Sequence, residues 1–436
     1  MRIVVRCLDP RAARDAQDQL ALAGVEAAAL PGPPDTDRTA PDGEDIVIVA
    51  EANTDNAASY ARTARAAQRR PIAVLLGLSM LTPPPPGLDH HADFTGAIAL
   101  DAAPALLAAQ ITAAARTGGA EEEHLRRLET ATGLGAPMPK PYEPRKLKAL
   151  YIGAPSPIFL SLEAAFARQG GLVAAAFSSF LGFDHLHDES FDAVVLNGAQ
   201  DSATALSLCS ALRRNASLHH LPTMMITAPG DEATKAAAIE RGASAIVAVN
   251  APGETSLGWL FEAIRRERRR SAAEHDGRAL RDIMGDPRTG LFRRAPFDAH
   301  LARLAGDHNA SGRPLSVAAL RVLPAPGARQ PSEQVWLRGF TEIASLAGRL
   351  IRDADCGAVL GGEWIVLAMP ATSLGGAKRT AERIASVAEC TAFASGEGGA
   401  GPLVFEQSVV ELQAGESGAG LMARALRALE YESATA

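Results

Sequence analysis

Twice within the first 250 residues, short apolar runs alternate with alanine-rich helical stretches at a similar spacing, and this alternation constrains the fold more than any other feature of the chain. In the first repeat the runs are RIVVRCLDP, EDIVIVAEA, PIAVLLGLS and GAIALDA, with ASYARTARAAQ among the stretches between them. In the second they are KALYIGAPS, FDAVVLNGA, PTMMITAPG and ASAIVAVNA, with ATALSLCSALRR between. Runs of this length bounded by turn residues read as strands buried on both faces, and strands alternating with helices make a parallel sheet covered on both sides. The expected fold class is therefore α/β and multidomain: two doubly wound parallel (βα)5 domains followed by an α+β domain. The change of pattern falls at residue 286, and the chain closes with the helical stretch LMARALRALEYE.

A length of 436 residues has room for about three domains, and an apolar content of 47% is ample for their cores. The expected divisions are a first repeat over 1–118, a segment over 119–145, a second repeat over 146–270, a linker helix over 271–285 and the last domain over 286–436. Segment 119–145 joins a charged, helix-compatible stretch, EEEHLRRLETAT, to a Pro/Gly linker, GLGAPMPKPYEP. The run RRERRR at 265–270 reads as a solvated helix face, with attraction of a phosphate-bearing partner as the alternative.

The formal net charge is −7 and no basic stripe runs through any segment, which argues against a duplex nucleic-acid partner. Cys7, Cys209, Cys356 and Cys390 lack paired or metal-type spacing, so neither a disulfide framework nor a metal site is expected. No apolar run reaches the roughly 18 residues of a transmembrane helix, and the apolar stretch in MRIVVRCLDP is too short for a secretory core. A cytoplasmic protein is expected.

In strand order and a few anchor residues, each repeat resembles a response-regulator receiver domain. The resemblance implies an acidic pair after the first strand to hold Mg²⁺, a phosphoacceptor Asp after the third, Thr or Ser after the fourth and Lys after the fifth, all serving to neutralise a transferring phosphoryl group. The first repeat has Cys7 and Leu8 at the acidic pair, with Asp9 nearby, and Ala50 at the acceptor. The first lysine of the chain is Lys140, so this repeat cannot supply one. Glu51 and Asp55 lie just beyond its third strand, and Asp55 is the candidate phosphoacceptor, the alternative being an ordinary loop acid. The second repeat keeps Thr227 but carries Gly153 and Ala154 at the acidic pair, Asn197 at the acceptor and no lysine in VNAPG, so it is not expected to be phosphorylated.

DPRTGLFRRAPFDAHLARL, from Asp286, and IRDADCGAVLGGEWIVLAMPATSLGGAKRTAERI together resemble the GGDEF family, which contains diguanylate cyclases. The resemblance implies a glycine hairpin for the approach of GTP, an acid at the third hairpin position, and an Asp on a facing strand that shares two Mg²⁺ ions with it. Gly361, Gly362 and Glu363 are kept, but Trp364 and Ile365 replace Glu and Phe, and Arg321 in PLSVAALRVLP stands where the metal-binding Asp belongs. The segment PAPGARQPSEQVW also lacks the Lys and Asn-Asp pair implied for phosphate and guanine. Cyclase activity is not expected, and neither a catalytic residue nor a cofactor is assigned.

Many GGDEF domains carry an R-x-x-D product site five residues before the glycine pair, and Arg352-Asp353-Ala354-Asp355 fits in residue type and spacing. The resemblance implies cyclic di-GMP as the ligand. An arginine fork matches guanine O6 and N7 or a phosphate, and a carboxylate accepts from guanine N1 and N2. Arg383, in TAERI, takes the family's secondary arginine position, and Arg294, in LFRRAPF, takes the role an arginine of the opening region plays across some dimers. Read without the resemblance, Arg352 and Asp355 are a surface i,i+3 ion pair at a helix end.

Two degenerate receivers followed by a GGDEF domain without catalysis but with its product site resemble a type of bacterial cyclic di-GMP effector in cell-cycle signalling. That resemblance implies homodimerisation through the receiver repeats, ligand-dependent recruitment to the cell pole, and a protein partner such as a proteolytic adaptor. The competing readings are a diguanylate cyclase with a divergent active site and a scaffold that binds no nucleotide.

Overall fold

A computed structural model describes residues 2–31, 44–50, 54–66, 72–84, 93–251, 253–328, 330–391, 393 and 402–435. They pack as two units: the described residues up to 118 together with 143–272, and 119–142 together with those from 273 onward. The expected divisions after 118 and after 270 fall within continuous helices.

The first unit holds both repeats. Its first sheet is built from β1 (Ile3–Cys7), β2 (Ala27–Pro31), β3 (Ile46–Val49), β4 (Ala73–Leu78) and β5 (Gly96–Ala99), in the order β2-β1-β3-β4-β5 with every pair parallel. Helices α1 (Pro10–Leu22), α2 (Thr54–Ala66) and α3 (Pro104–Gly133) join or follow these strands. The second sheet repeats the topology with β6 (Lys148–Ile152), β7 (Leu172–Ala176), β8 (Ala193–Asn197), β9 (Thr223–Thr227) and β10 (Ala245–Ala248), in the order β10-β9-β8-β6-β7, again all parallel. Its helices are α4 (Pro157–Arg168), α5 (Ser179–Asp188), α6 (Ser202–Arg214), α7 (Glu232–Glu240) and α8 (Gly258–Met284). Central strands such as IVIV and AVVLN are buried at every residue, because helices on both faces leave no side of the pleat for water. These are the two expected doubly wound domains.

The RRERRR run is mostly structural, contrary to the solvated face expected. β5 ends its sheet and would leave backbone N–H and C=O groups without partners. On α8, Glu262 accepts from Ala97 N at 3.0 Å, Arg266 donates to Ala97 O at 2.8 Å, and Arg265 donates to Thr95 O at 3.1 Å. Glu262, Arg265 and Arg266 are all buried, and the carboxylate bridges both guanidinium groups at 2.7 and 3.2 Å. Arg268 turns to Asp192 of the second repeat at 3.0 Å.

The second unit has one antiparallel sheet of β11 (Leu315–Pro324), β12 (Cys356–Leu360), β13 (Trp364–Pro370) and β14 (Leu403–Glu411), in the order β12-β13-β11-β14. The remaining helices are α9 (Arg294–Ser311), α10 (Glu333–Leu350), α11 (Leu374–Glu389) and α12 (Gly418–Thr435). One side of the sheet packs with α9, α12 and the ends of α3 and α8 through Ala131, Met284, Phe297 and Leu421. The other packs with α10 and α11 through Phe340, Ala344, Ala381 and Ile384. This is the expected α+β domain. Among the described residues no helix is long and apolar enough to cross a membrane.

Replacing Glu262 with Ala leaves two buried guanidinium groups and the Ala97 amide short of a partner. The unfolding free energy of the first unit should fall by about 3–5 kcal/mol, read by urea unfolding with far-UV circular dichroism. Glu262→Gln keeps the acceptor for Ala97 N and should cost clearly less.

Candidate functional site

In the first repeat the receiver-type residues are engaged in holding the fold. Asp9 caps α1, its carboxylate accepting from Arg11 N at 2.9 Å, and Cys7 is buried. In the stretch after β5, where the resemblance implies a lysine, Asp101 accepts from Ser79 Oγ and from Met80 N, each at 2.6 Å. Asp55 falls in the first turn of α2, with its side chain outside the described residues, as is Glu51. In the second repeat Asn197 ends β8, and its Nδ2 donates to Tyr151 Oη at 2.9 Å and Ala154 O at 2.6 Å. An amide joined to the neighbouring loop in this way fills the acceptor position. The Thr227 hydroxyl is buried without a partner among the described residues.

The glycine hairpin lies between β12 and β13, where Leu360 pairs with Trp364. Gly361 has φ +71, a left-handed conformation that favours glycine, so the turn alone requires it. Gly362 O accepts from Trp336 Nε1 at 2.7 Å. Strand alternation places Arg321 of β11 opposite Trp364 on one side and Glu406 on the other. Its guanidinium donates to Glu363 Oε1 through Nε at 3.1 Å and Nη2 at 3.0 Å, reaches Glu406 at 3.8 Å and lies over the Trp364 ring at 5.1 Å. Arg321 thus neutralises the acid that a metal would need. A divalent cation about 4 Å from it would be repelled by several kcal/mol even at an effective dielectric near 20.

The R-x-x-D residues form the turn between α10 and β12. Arg352 is exposed, while Asp355 is only 3% exposed and its Oδ2 accepts from Arg352 N at 2.9 Å. The pair is therefore a capped turn with a buried acid, which differs from a surface ion pair. Burial pushes the Asp355 carboxyl up to about 6, against the opposing pull of the Arg352 amide and guanidinium. Arg383 of α11 donates Nη2 to Leu350 O at 2.9 Å, which brings it beside the same turn. Arg294 pairs instead with Asp298 on its own helix at 2.6 Å.

Beneath the turn lies Arg127, a residue that sequence reasoning missed. It is 1% exposed and donates to the carbonyls of Asp353 and Asp355, the latter at 3.3 Å, and to Gly277 O of α8 at 3.0 Å. Glu123 holds Arg127 at 2.7 Å and Arg126 at 2.6 Å, and it meets His300 Nε2 of α9 at 3.0 Å. Burial alone would raise the Glu123 carboxyl pKa, but His300, Arg127 and Arg126 outweigh it and hold the group well below the usual carboxylate range. Arg126 continues to Glu122 at 2.7 Å and Asp307 at 2.8 Å. The signal was in EEEHLRR: acids three and four residues before arginines make one helix face of charge pairs.

No family model and no curated protein matches this chain. Solved structures do resemble parts of it. The GGDEF domain of DgcB from Caulobacter crescentus, solved in complex with c-di-GMP, is 22% identical over 35% of this chain and 89% of that one, with a TM-score of 0.28. The FimX GGDEF domain from Pseudomonas aeruginosa is 15% identical over 35% of this chain and 95% of that one, with a TM-score of 0.29. A putative response regulator from Chloroflexus aurantiacus J-10-fl is 21% identical over 28% of this chain and 98% of that one, with a TM-score of 0.26.

Proposed function

We propose that this chain is a cyclic di-GMP effector of the PopA type: an inactive GGDEF-like domain binds the dinucleotide at the Arg352 turn and changes how partner proteins dock. The observation that carries the reading is the turn itself, which presents an exposed arginine fork on a buried, hydrogen-bonded support with Arg383 at its base. The Arg352 guanidinium takes guanine O6 and N7 or a phosphate, and Arg383 adds a second cation. Asp355 acts chiefly as a positioning residue, since its carboxylate already holds the turn that aims Arg352 outward. Arg294 would have to leave Asp298 to reach a ligand, and it enters only as a contact from a second copy.

The loss of cyclase activity rests on Arg321. Its contact with Glu363 supports a hairpin that holds no divalent cation, and the missing Lys and Asn-Asp pair leaves GTP without a clamp. A homodimer through the receiver repeats, recruitment to a cell pole and a proteolytic adaptor as partner complete the proposal. Asp55 remains the candidate phosphoacceptor of the first repeat. Ligand binding would favour one arrangement of the turn and of the residues beneath it, since a ligand shifts an equilibrium only by its differential affinity for the two states.

Calorimetry on the full chain tests the reading. Wild-type protein should bind cyclic di-GMP, Arg352→Ala should weaken binding at least about 100-fold through loss of a charge-assisted fork, and Arg383→Ala should weaken it about tenfold. No heat of binding in the wild type overturns the proposal. Incubation with GTP and Mg²⁺ should yield no cyclic di-GMP, and product formation would favour the cyclase reading.

The pH dependence follows from Asp355. Binding should be level from pH 7 to 8 and weaken as pH falls through about 6, as protonation of a group with a pKa near 6 weakens its cap on Arg352 N. Asp355→Asn should flatten that profile. For stability the sign is opposite: a carboxyl raised in the folded state contributes stability below its unfolded pKa, and this is lost as pH rises through about 6. Without nucleotide, the unfolding free energy of the wild type relative to Asp355→Asn should therefore fall between pH 4 and 6.

A further inference from the structure

We propose that a cavity of about 320 Å³ in the first unit binds a small organic anion, a carboxylate or phosphate carried on an apolar body of about two fused rings. The cavity lies between the N-terminal halves of α3 and α8 and the loops that lead into β9 and β10. Leu106 and Ala113 of α3, Trp259 of α8, and Pro222 and Ala243 of the loops give it an apolar wall. Pro222 and Ser244 directly precede β9 and β10, so in this all-parallel sheet the cavity sits at the opposite end from Asn197 and Thr227, which end β8 and β9. The receiver-type positions therefore take no part in it.

Many polar groups around the cavity are satisfied inside the protein. Gln110 accepts from Ala99 N at 2.9 Å, Thr117 donates to Ala113 O at 3.1 Å, and Glu262 with Arg266 holds the β5 edge. Glu267 is taken by Arg270 at 2.6 Å. The groups with capacity to spare are basic. Arg213, near the end of α6, donates to Gly242 O at 3.0 Å, Leu221 O at 2.9 Å, His219 O and Thr223 Oγ1 at 2.8 Å. These neutral acceptors fix the guanidinium and use four of its five N–H donors, yet none offsets its charge. Burial pulls the Arg213 guanidinium below its ordinary pKa, and the nearby carboxylate, Glu267, is already committed to Arg270. Arg116 is exposed on α3 and has no ion pair or hydrogen bond among the described residues. His220, also on the wall, makes no hydrogen bond among them.

Two guanidinium groups without a carboxylate of their own, lining a cavity whose wall is otherwise apolar, match an anion with an apolar body. A carboxylate or phosphate accepts from the Arg116 fork and from the donor left on Arg213, while the rings cover Leu106 and Trp259. An inorganic ion would leave the apolar wall against water, and a neutral ring would leave both cations uncompensated. The volume is at the small end of the roughly 300–1,000 Å³ of ligand sites, which keeps a dinucleotide out.

Calorimetry on the full chain without cyclic di-GMP tests the site with three probes that share one ring system: naphthoate, naphthyl phosphate and the neutral naphthalenemethanol. At least one anion should bind once per chain with a dissociation constant of about 1 mM or below. It should bind at least about tenfold tighter than the alcohol, and the tighter of the two anions identifies the charged group. Arg116→Glu, at an exposed position, should leave far-UV circular dichroism unchanged and weaken that anion at least about tenfold, with the alcohol unaffected. Ala113→Trp fills the cavity and should abolish binding of every probe, which separates the cavity from attraction to surface arginines. Should Ala113→Trp fail to fold, Arg116→Glu decides alone. Two anions that do not saturate, an alcohol that binds as tightly as either, or an anion affinity that survives Arg116→Glu or a folded Ala113→Trp would each overturn the proposal.

Discussion

Arg127 is the residue on which the second unit's arrangement turns. A guanidinium with five donors is costly to bury, and it is held only where acceptors meet it on all sides. Here Glu123 takes one edge, and the carbonyls of Gly277, Asp353 and Asp355 take the other donors. Those carbonyls come from α8 and from the turn before β12, so one side chain ties three segments distant in sequence. Lysine could not do this, since its compact ammonium lacks the planar fork that reaches carbonyls on separate elements. Removing either charge would leave the other buried and uncompensated, so Glu123 and Arg127 stand or fall together.

The same logic applies at three further polar positions. Arg321 joins Glu363 and Glu406, Asn197 joins Tyr151 and Ala154, and Asp101 joins Ser79 and Met80. A partly buried polar group without an internal partner incurs a desolvation penalty, which Arg321 and Asn197 avoid through hydrogen bonds within the chain. These bonds also tie together the loops and strand ends around each position. The Arg352 turn differs: Asp355 satisfies its support internally while Arg352 itself is exposed.

Much of this was legible in the residues. IVIV, AVLLGL and AVVLN are apolar at nearly every position, a pattern that only a strand covered on both faces tolerates, and the two parallel sheets follow from it. The meeting of Arg321 and Glu363 could be anticipated because the family motif fixes which strands face each other. What could not be read was burial that depends on a distant partner. Nothing local in RRERRR tells Arg266, whose donors reach Ala97, from Arg268, which reaches Asp192. Nothing in R-x-x-D says that its acid points inward to cap its own turn. EEEHLRRLETAT has the composition of a solvated helix, yet the second unit covers Glu122, Glu123, Arg126 and Arg127. Charge pattern reveals which pairs can form, and only tertiary packing decides which are covered.

Buried charges such as Glu262, Arg266, Glu123 and Arg127 depart from the usual distribution, in which Glu and Arg stay at the surface. The buried pairs add little net stability over an apolar filling, because desolvation offsets most of their attraction. What they supply is direction: Glu262 with Arg266 can pair only with a strand edge that presents an N–H and a C=O at the right spacing, so β5 is closed to any other strand.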